Sequence, residues 1–234
     1  MGILVKTISR SNRNPYSKIY IKCLSYCHSQ IQVLGFCDSS MQCYAATCYI
    51  RIFDSTSQQY VCRIVAAKSK VAPIKQLTIP RLELSGCLLL AKLITSVVTA
   101  LSKCHQISQI ICWSDSTVAL NWIKNVSKRR ETWVENRVQK IRNLVDDKNW
   151  LYVPTNSNPA DIPTRYCDPK ALPYNSLWWE GAEFLKSSES SWPQQEFNMT
   201  RDSDVDDIIE TTTVNVNTVK KKDIVQISNI LLID

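Results

Sequence analysis

Four carboxylates in this 234-residue chain fall where acids could act together. Asp38 closes a short apolar run, Gln32 to Asp38, just before Ser39-Ser40. Glu83 lies in the first turn of a long helical pattern opened by Pro80. Asp115 sits in Ser114-Asp115-Ser116 at the end of the run Gln109 to Trp113, and Asp161 follows the run Trp150 to Pro154 at an expected helix start. In layered α/β architectures, strand ends and adjoining helix starts converge on one rim, where sites form. Like charges gathered there stay ionised only if cations neutralise them; otherwise some pKa values rise. An all-oxygen donor set suits Mg²⁺ or Mn²⁺. Two such ions about 3.5–4 Å apart can clamp an in-line phosphoryl displacement. Each acid also has a local reading: a turn cap at Asp38, a helix-dipole partner at Glu83, and helix caps at Asp115 and Asp161.

The elements that must position these acids follow from periodicity. Gln32–Asp38, Cys43–Phe53 and Tyr60–Ala67 read as three strands joined by short polar turns, an antiparallel meander. A basic segment, Lys68 to Arg81, follows. Leu84, Cys87, Leu88, Ala91, Ile94, Val98 and Leu101 recur at spacings of three and four, the stripe of a helix with one face on a core. A fourth strand, a short helix around Val118–Ile123, a second striped helix (Val134, Val138, Ile141, Val145) and a fifth strand come next. The order β-β-β-α-β-α-α-β-α predicts a mixed five-stranded α/β sheet flanked by helices. The expected organisation is an irregular segment over 1–30, the α/β domain over 31–167, a Trp-rich appendage over 168–197 and a disordered acidic and polar tail over 198–234.

Composition narrows the chemistry. Four glycines leave no room for a dinucleotide loop, a P-loop or a nucleophile elbow. Residues 198–234 hold four Lys/Arg against seven Asp/Glu, so the body carries a formal +10 out of the whole chain's +7. A basic body points to a polyanion, with nucleic acid first. The candidate phosphate contacts are Lys68, Lys70, Lys75, Arg81, Lys128, Arg129, Arg130, Arg137 and Arg165, with Ser39, Ser116 and Asn121 as further polar candidates and Trp122 as core. Ten cysteines, mostly inside apolar runs, read as buried free thiols of a reducing compartment. Cys23, Cys27 and His28 lack a fourth zinc ligand at workable spacing. The run Leu84–Leu101 is short for a bilayer span and is interrupted by Lys92, and no secretory leader is evident. The expected setting is intracellular, cytoplasmic or nuclear.

Five ordered motifs carry a resemblance: Gly35-Phe36-Cys37-Asp38-Ser39-Ser40, Ala67-Lys68-Ser69-Lys70-Val71-Ala72-Pro73, Ile79-Pro80-Arg81-Leu82-Glu83-Leu84, Trp113-Ser114-Asp115-Ser116 and Asn158-Pro159-Ala160-Asp161. With Trp133–Val138 and Leu177–Gly181, they make residues 31 to 193 resemble the ribonuclease H region of Pao/BEL-type LTR retrotransposon polyproteins. The resemblance implies the ribonuclease H fold and places Asp38, Glu83, Asp115 and Asp161 at the family's D-E-D-D positions. By that analogy Asp38 would bridge two Mg²⁺ (or Mn²⁺) ions, and Asp161 would help hold the ion that activates water. Glu83 and Asp115 would hold the ion at the leaving 3′ oxygen. The substrate would be an RNA–DNA hybrid, cut in its RNA strand to leave a 5′ phosphate. The partners would be nucleic acid and the adjacent reverse transcriptase and integrase regions of a full polyprotein. The histidine that many cellular ribonucleases H place near the last carboxylate has no counterpart, since His28 and His105 lie far from Asp161 in sequence.

Two other classes compete. An aspartic protease needs Asp-Thr/Ser-Gly, and Asp38-Ser39-Ser40, Asp54-Ser55-Thr56 and Asp115-Ser116-Thr117 all lack the glycine. An integrase uses D-D-E order. The stronger rival is a decayed polyprotein fragment that only binds nucleic acid or protein.

Overall fold

The computed structural model describes residues 30–125, 130–165, 168 and 170–193. The segment 1–29 and the tail from 194 onward lie outside these, as do Lys128, Arg129, Cys23, Cys27 and His28. Five strands form one sheet in the order β3-β2-β1-β4-β5. They are β1 (Ile31–Ser39), β2 (Cys43–Asp54), β3 (Gln59–Val71), β4 (Ile107–Ser114) and β5 (Trp150–Tyr152). β1, β2 and β3 pair antiparallel, whereas β4 runs parallel to β1 and β5 parallel to β4. This is the mixed sheet the sequence predicts, with β1 at its centre.

The two hairpin turns are written in short polar side chains. At β1–β2, the Ser40 hydroxyl accepts from the amides of Gln42 (3.2 Å) and Cys43 (3.3 Å). At β2–β3, Asp54 accepts from the Thr56 amide (2.9 Å) and the Ser57 hydroxyl (3.0 Å), while Gln58 takes a positive φ of 55°. β3 runs four residues beyond the expected Ala67, so Lys68 and Lys70 belong to a strand and not to a connecting segment. The cause is pairing: Tyr44 and Cys43 at the start of β2 continue the ladder to Lys70 and Val71.

Three helices cover one face: α1 (Ile79–Leu101), α2 (Thr117–Lys124) and α3 (Thr132–Arg142). The stripe read from the sequence is the buried side of α1, with Leu84, Cys87, Ala91, Ile94 and Leu101 inside. Two glycines bring α1 close to the central strand. A Cβ at Gly35 would meet Leu90 Cδ1 at 2.5 Å, and one at Gly86 would meet the Asp38 carbonyl oxygen at 3.2 Å. By length and composition α1 could cross a membrane, but half of its most apolar window is buried against the sheet.

The opposite face corrects the expected boundary at residue 168. The segment expected as an appendage packs onto the sheet through α4 (Asp161–Thr164), α5 (Ser176–Glu180) and short 3₁₀ turns. Trp178, Leu185 and Trp192 close a second core with Leu34, Phe36, Tyr49 and Trp113. Arg51, on β2, is fully buried there. It donates to the carbonyls of Leu185 (2.6 Å) and Ser187 (2.5 Å), and it lies 3.5 Å over the Tyr60 ring. The described cysteines are free thiols, and all but Cys104 are buried.

Candidate active site

The four carboxylates come from four elements and gather at one edge of the sheet. Parallel register pairs Cys37 with Ser114, so the next residues, Asp38 and Asp115, leave the same ends of neighbouring strands. Gly86 against the Asp38 backbone brings the first turns of α1, and Glu83 with them, over β1. The connection from β5 to α4 brings Asp161 from the other side, with Thr164 donating from its hydroxyl to the Asp38 carboxylate.

For three of the four acids, the local roles are filled by their neighbours or do not arise. Ser40, not Asp38, holds the β1–β2 turn. Ser116, not Asp115, caps α2 by accepting from the Ala119 amide at 3.1 Å. Glu83 is corrected from its expected place: α1 begins at Ile79, so no acid lies in its first turn and Glu83 follows it. Asp161 does sit in the first turn of α4.

Each carboxylate is held by a side chain. Thr164 donates to Asp38, Ser116 donates to Glu83, and Thr155 donates to Asp115 Oδ2 at 2.9 Å. Arg165 Nε pairs with Asp161 Oδ1 at 2.6 Å. Burial pushes the Asp38 carboxyl up to about 6; the Thr164 hydrogen bond opposes the rise, and the charges of Asp115 and Asp161 add to it. Burial likewise pushes Glu83 up to about 7, against the Ser116 hydrogen bond and with the help of Asp115 and Asp38. Asp115 is also raised, first by burial, with the Thr155 hydrogen bond opposing and Asp161 contributing. Neighbouring carboxylate charges thus add to the rise at Asp38, Glu83 and Asp115, a repulsion that cations would relieve.

The donor chemistry fits a hard divalent cation: four carboxylates held by hydroxyl neighbours and one guanidinium. The carboxylates are gathered but not closed. Among the described residues, no three His, Cys, Asp or Glu groups are arranged to hold an ion.

The basic candidates divide into two sets. Lys68, Lys70 and Lys75 are exposed on β3 and on the connection to α1. Arg165 is exposed but paired with Asp161. Arg81 pairs with Glu131 and lies over the Trp133 ring at 5.4 Å. Arg137 stacks on the same ring at 3.4 Å and donates to the Trp133 carbonyl at 3.2 Å. Arg130 is a brace, not an exposed cation. It bonds Glu135 at 3.4 Å and the Asn125 carbonyl, and its side chain is only 9% exposed. Trp122 is core, as expected. The Asn121 side chain accepts from Asn125, and the Ser39 hydroxyl is buried with no hydrogen-bond partner. Asn158 and Thr164 were not singled out as contributors; the signal available was a buried amide and a hydroxyl, each three residues from Asp161.

Residues 8–116 match the family described as the Pao retrotransposon-like RNaseH-like domain. That match spans just under half of the chain and marks a similarity to this family. The five-stranded mixed sheet with its flanking helices is the arrangement expected from the motifs. Among solved structures, RNase H1 from the halophilic archaeon Halobacterium salinarum aligns at 12% identity over 55% of this chain and 89% of that one, with a TM-score of 0.34. LC11-RNase H1, solved with an RNA/DNA hybrid, aligns at 12% identity over 55% and 88%, with a TM-score of 0.35. The foamy viral protease-reverse transcriptase, solved with double-stranded DNA, aligns at 15% identity over 60% of this chain and 25% of that one, with a TM-score of 0.30. No curated protein matches the sequence.

Proposed function

We propose that this RNase H-like domain is a divalent-metal-dependent endonuclease that cleaves the RNA strand of RNA–DNA hybrids during reverse transcription of a retroelement. The observation that carries the reading is the gathering of Asp38, Glu83, Asp115 and Asp161 from four elements at one sheet edge, with burial and mutual repulsion holding three of them above the ordinary carboxylate range. A protein that kept these acids only for local structure would use them as caps, and neighbouring serines do that work at Asp38 and Asp115.

In this reading Asp38, Glu83, Asp115 and Asp161 would hold Mg²⁺ or Mn²⁺, which would supply charge stabilisation for an in-line phosphoryl displacement. The chain itself does the rest. Asp38 stands on the central strand with Glu83 on its helix side and Asp161 on the other. The hydroxyls of Ser116, Thr155 and Thr164 hold the carboxylates in place by donating to them. Lys68, Lys70 and Lys75 present exposed ammonium groups to a phosphate backbone. The hybrid is read by shape, phosphates and 2′-hydroxyls, not by base sequence. The setting is a retroelement intermediate in the cytoplasm or nucleus, next to reverse transcriptase and integrase regions of a polyprotein.

One observation favours a second reading, a module that binds hybrid without cutting it: the carboxylates are not closed around a common point. The full chain incubated with a labelled RNA–DNA hybrid in Mg²⁺, in Mn²⁺ and in EDTA separates the two. RNA cleavage in metal alone, lost in Asp38→Asn while hybrid binding persists, is the expected result. Binding without cleavage in either metal, or equal cleavage by Asp38→Asn, overturns the nuclease reading.

A further inference from the structure

The side chain of Asn158 is fully buried and makes contacts on three sides. Its Nδ2 donates to the Cys37 carbonyl at 2.9 Å, on the backbone immediately before Asp38. The same amide lies beside the Asp115 carboxylate and favours its charged form. Its Oδ1 accepts from the Ala160 amide at 3.1 Å, immediately before Asp161. One amide therefore bonds the backbone beside two of the four acids, Asp38 and Asp161, and lies near a third. Its orientation is fixed by chemistry: a flipped amide would set its NH₂ group against the Ala160 N–H and its oxygen against the Cys37 carbonyl and the Asp115 carboxylate. A second tie runs the same way. The Thr164 hydroxyl, buried in α4, donates to Asp38 and also lies 3.1 Å from the Asp161 carbonyl.

We infer that the connection from β5 into α4 is a positioning brace in which Asn158 and Thr164 set the spacing of Asp38, Asp115 and Asp161, so that divalent-cation binding depends on two residues that are not themselves ligands. The inference rests on the reading of the carboxylates as a cation site. A satisfied Asn in a loop could simply staple that loop to the sheet. The distribution of its contacts argues for more, because its two bonds end on the backbone next to different carboxylates. Both donors meet oxygens of the cluster strand or the cluster itself, and the acceptor fixes the start of the turn that carries Asp161.

The test is calorimetric titration of Mn²⁺ into the full chain without nucleic acid, for wild type, Asp38→Asn, Asn158→Ala, Thr164→Val and Thr164→Ser, with a thermal melt of each in EDTA. Removing an outer partner of a metal ligand costs about 10–100-fold in affinity. The brace predicts that loss in Asn158→Ala and Thr164→Val at temperatures where both are folded, with near wild-type binding in Thr164→Ser, which keeps the hydroxyl. If Asn158→Ala does not fold, the Thr164 pair decides. Mn²⁺ affinity within about twofold of wild type in the folded variants, whatever their melting temperatures, overturns the brace alone. Wild type that binds no Mn²⁺, or Asp38→Asn that binds it equally, overturns the cation site and the brace with it.

Discussion

The two faces of the sheet are covered by different means. On one, α1, α2 and α3 lay down a periodic apolar surface of Leu, Ile, Val, Cys and Ala, and helices satisfy their own backbone. On the other, the longest regular piece after β5 among the described residues is the five-residue α5, and the cover is made of turns. Turns leave carbonyls without partners, and buried carbonyls must find them. Side chains of the sheet supply those partners. Arg51 reaches two carbonyls of the 185–187 stretch, and the Tyr49 hydroxyl donates to the Trp178 carbonyl at 2.9 Å. Large aromatics fill the volume that regular packing would otherwise occupy: Phe36 stacks on Trp113 at 4.8 Å, and Trp192 meets Trp113 edge-on at 5.3 Å. An irregular cover thus needs polar staples and bulky rings where a helical cover needs only a stripe. The carboxylate edge lies where the two covers meet, with Glu83 from the helical side and Asp161 from the turn side.

The comparison breaks most completely by removing one cover. A chain ending at Tyr174 lacks α5 and everything after it, baring Trp113, Phe36 and Arg51. We expect loss of the cooperative melt followed by circular dichroism; a sharp transition near that of the full chain would show the turn cover to be dispensable. The staples come next. Arg51→Met keeps much of the side chain's length but orphans the buried Leu185 carbonyl and frees that of Ser187, and we expect a loss of about 3 kcal/mol in denaturant unfolding. On the helical face, Leu90→Ala should cost about 2–5 kcal/mol through a cavity instead. An unchanged midpoint in Arg51→Met would remove the staple argument. The smallest effect is electrostatic. In EDTA, Asp38 and Glu83 have folded-state values of about 6 and 7 against ordinary values of 3.8 and 4.5. The folded state therefore binds protons more tightly, and the metal-free protein loses stability as pH rises from about 4 to about 7. Glu83→Gln should flatten that decline by on the order of 1–3 kcal/mol. Parallel pH profiles for the two proteins would contradict the raised value at Glu83.

Much of this architecture was legible in the residues because it follows from period. The α1 stripe, the alternating strands and the element order come from spacing alone. The four acids were legible as positions at the ends of elements, but their partners were not. A hydroxyl such as Thr164 shows its role only when it lies beside a carboxylate 126 positions earlier. The extension of β3 through Lys70 was hidden by its lysines, which read as a basic connection although their backbone continues the ladder. The turn cover was hidden for a deeper reason. Its tryptophans follow no period, and Arg51, a charged residue in a strand, gives no sign in sequence that it is buried.

The staple between Asn158 and Cys37 spans 121 residues. Closing so long a loop costs entropy before any contact repays it, so it belongs among the late events of folding. The meander and α1 can collapse on local contacts while the carboxylate edge is still open. On a ribosome the order is stricter still: Asp38, Glu83 and Asp115 are made and placed long before α4 exists. The set of four is gathered only when almost the whole domain has emerged. Assembly of the site is thus a timer on completion of the fold, and a chain that stops before Asp161 carries three of the acids but not the edge they form.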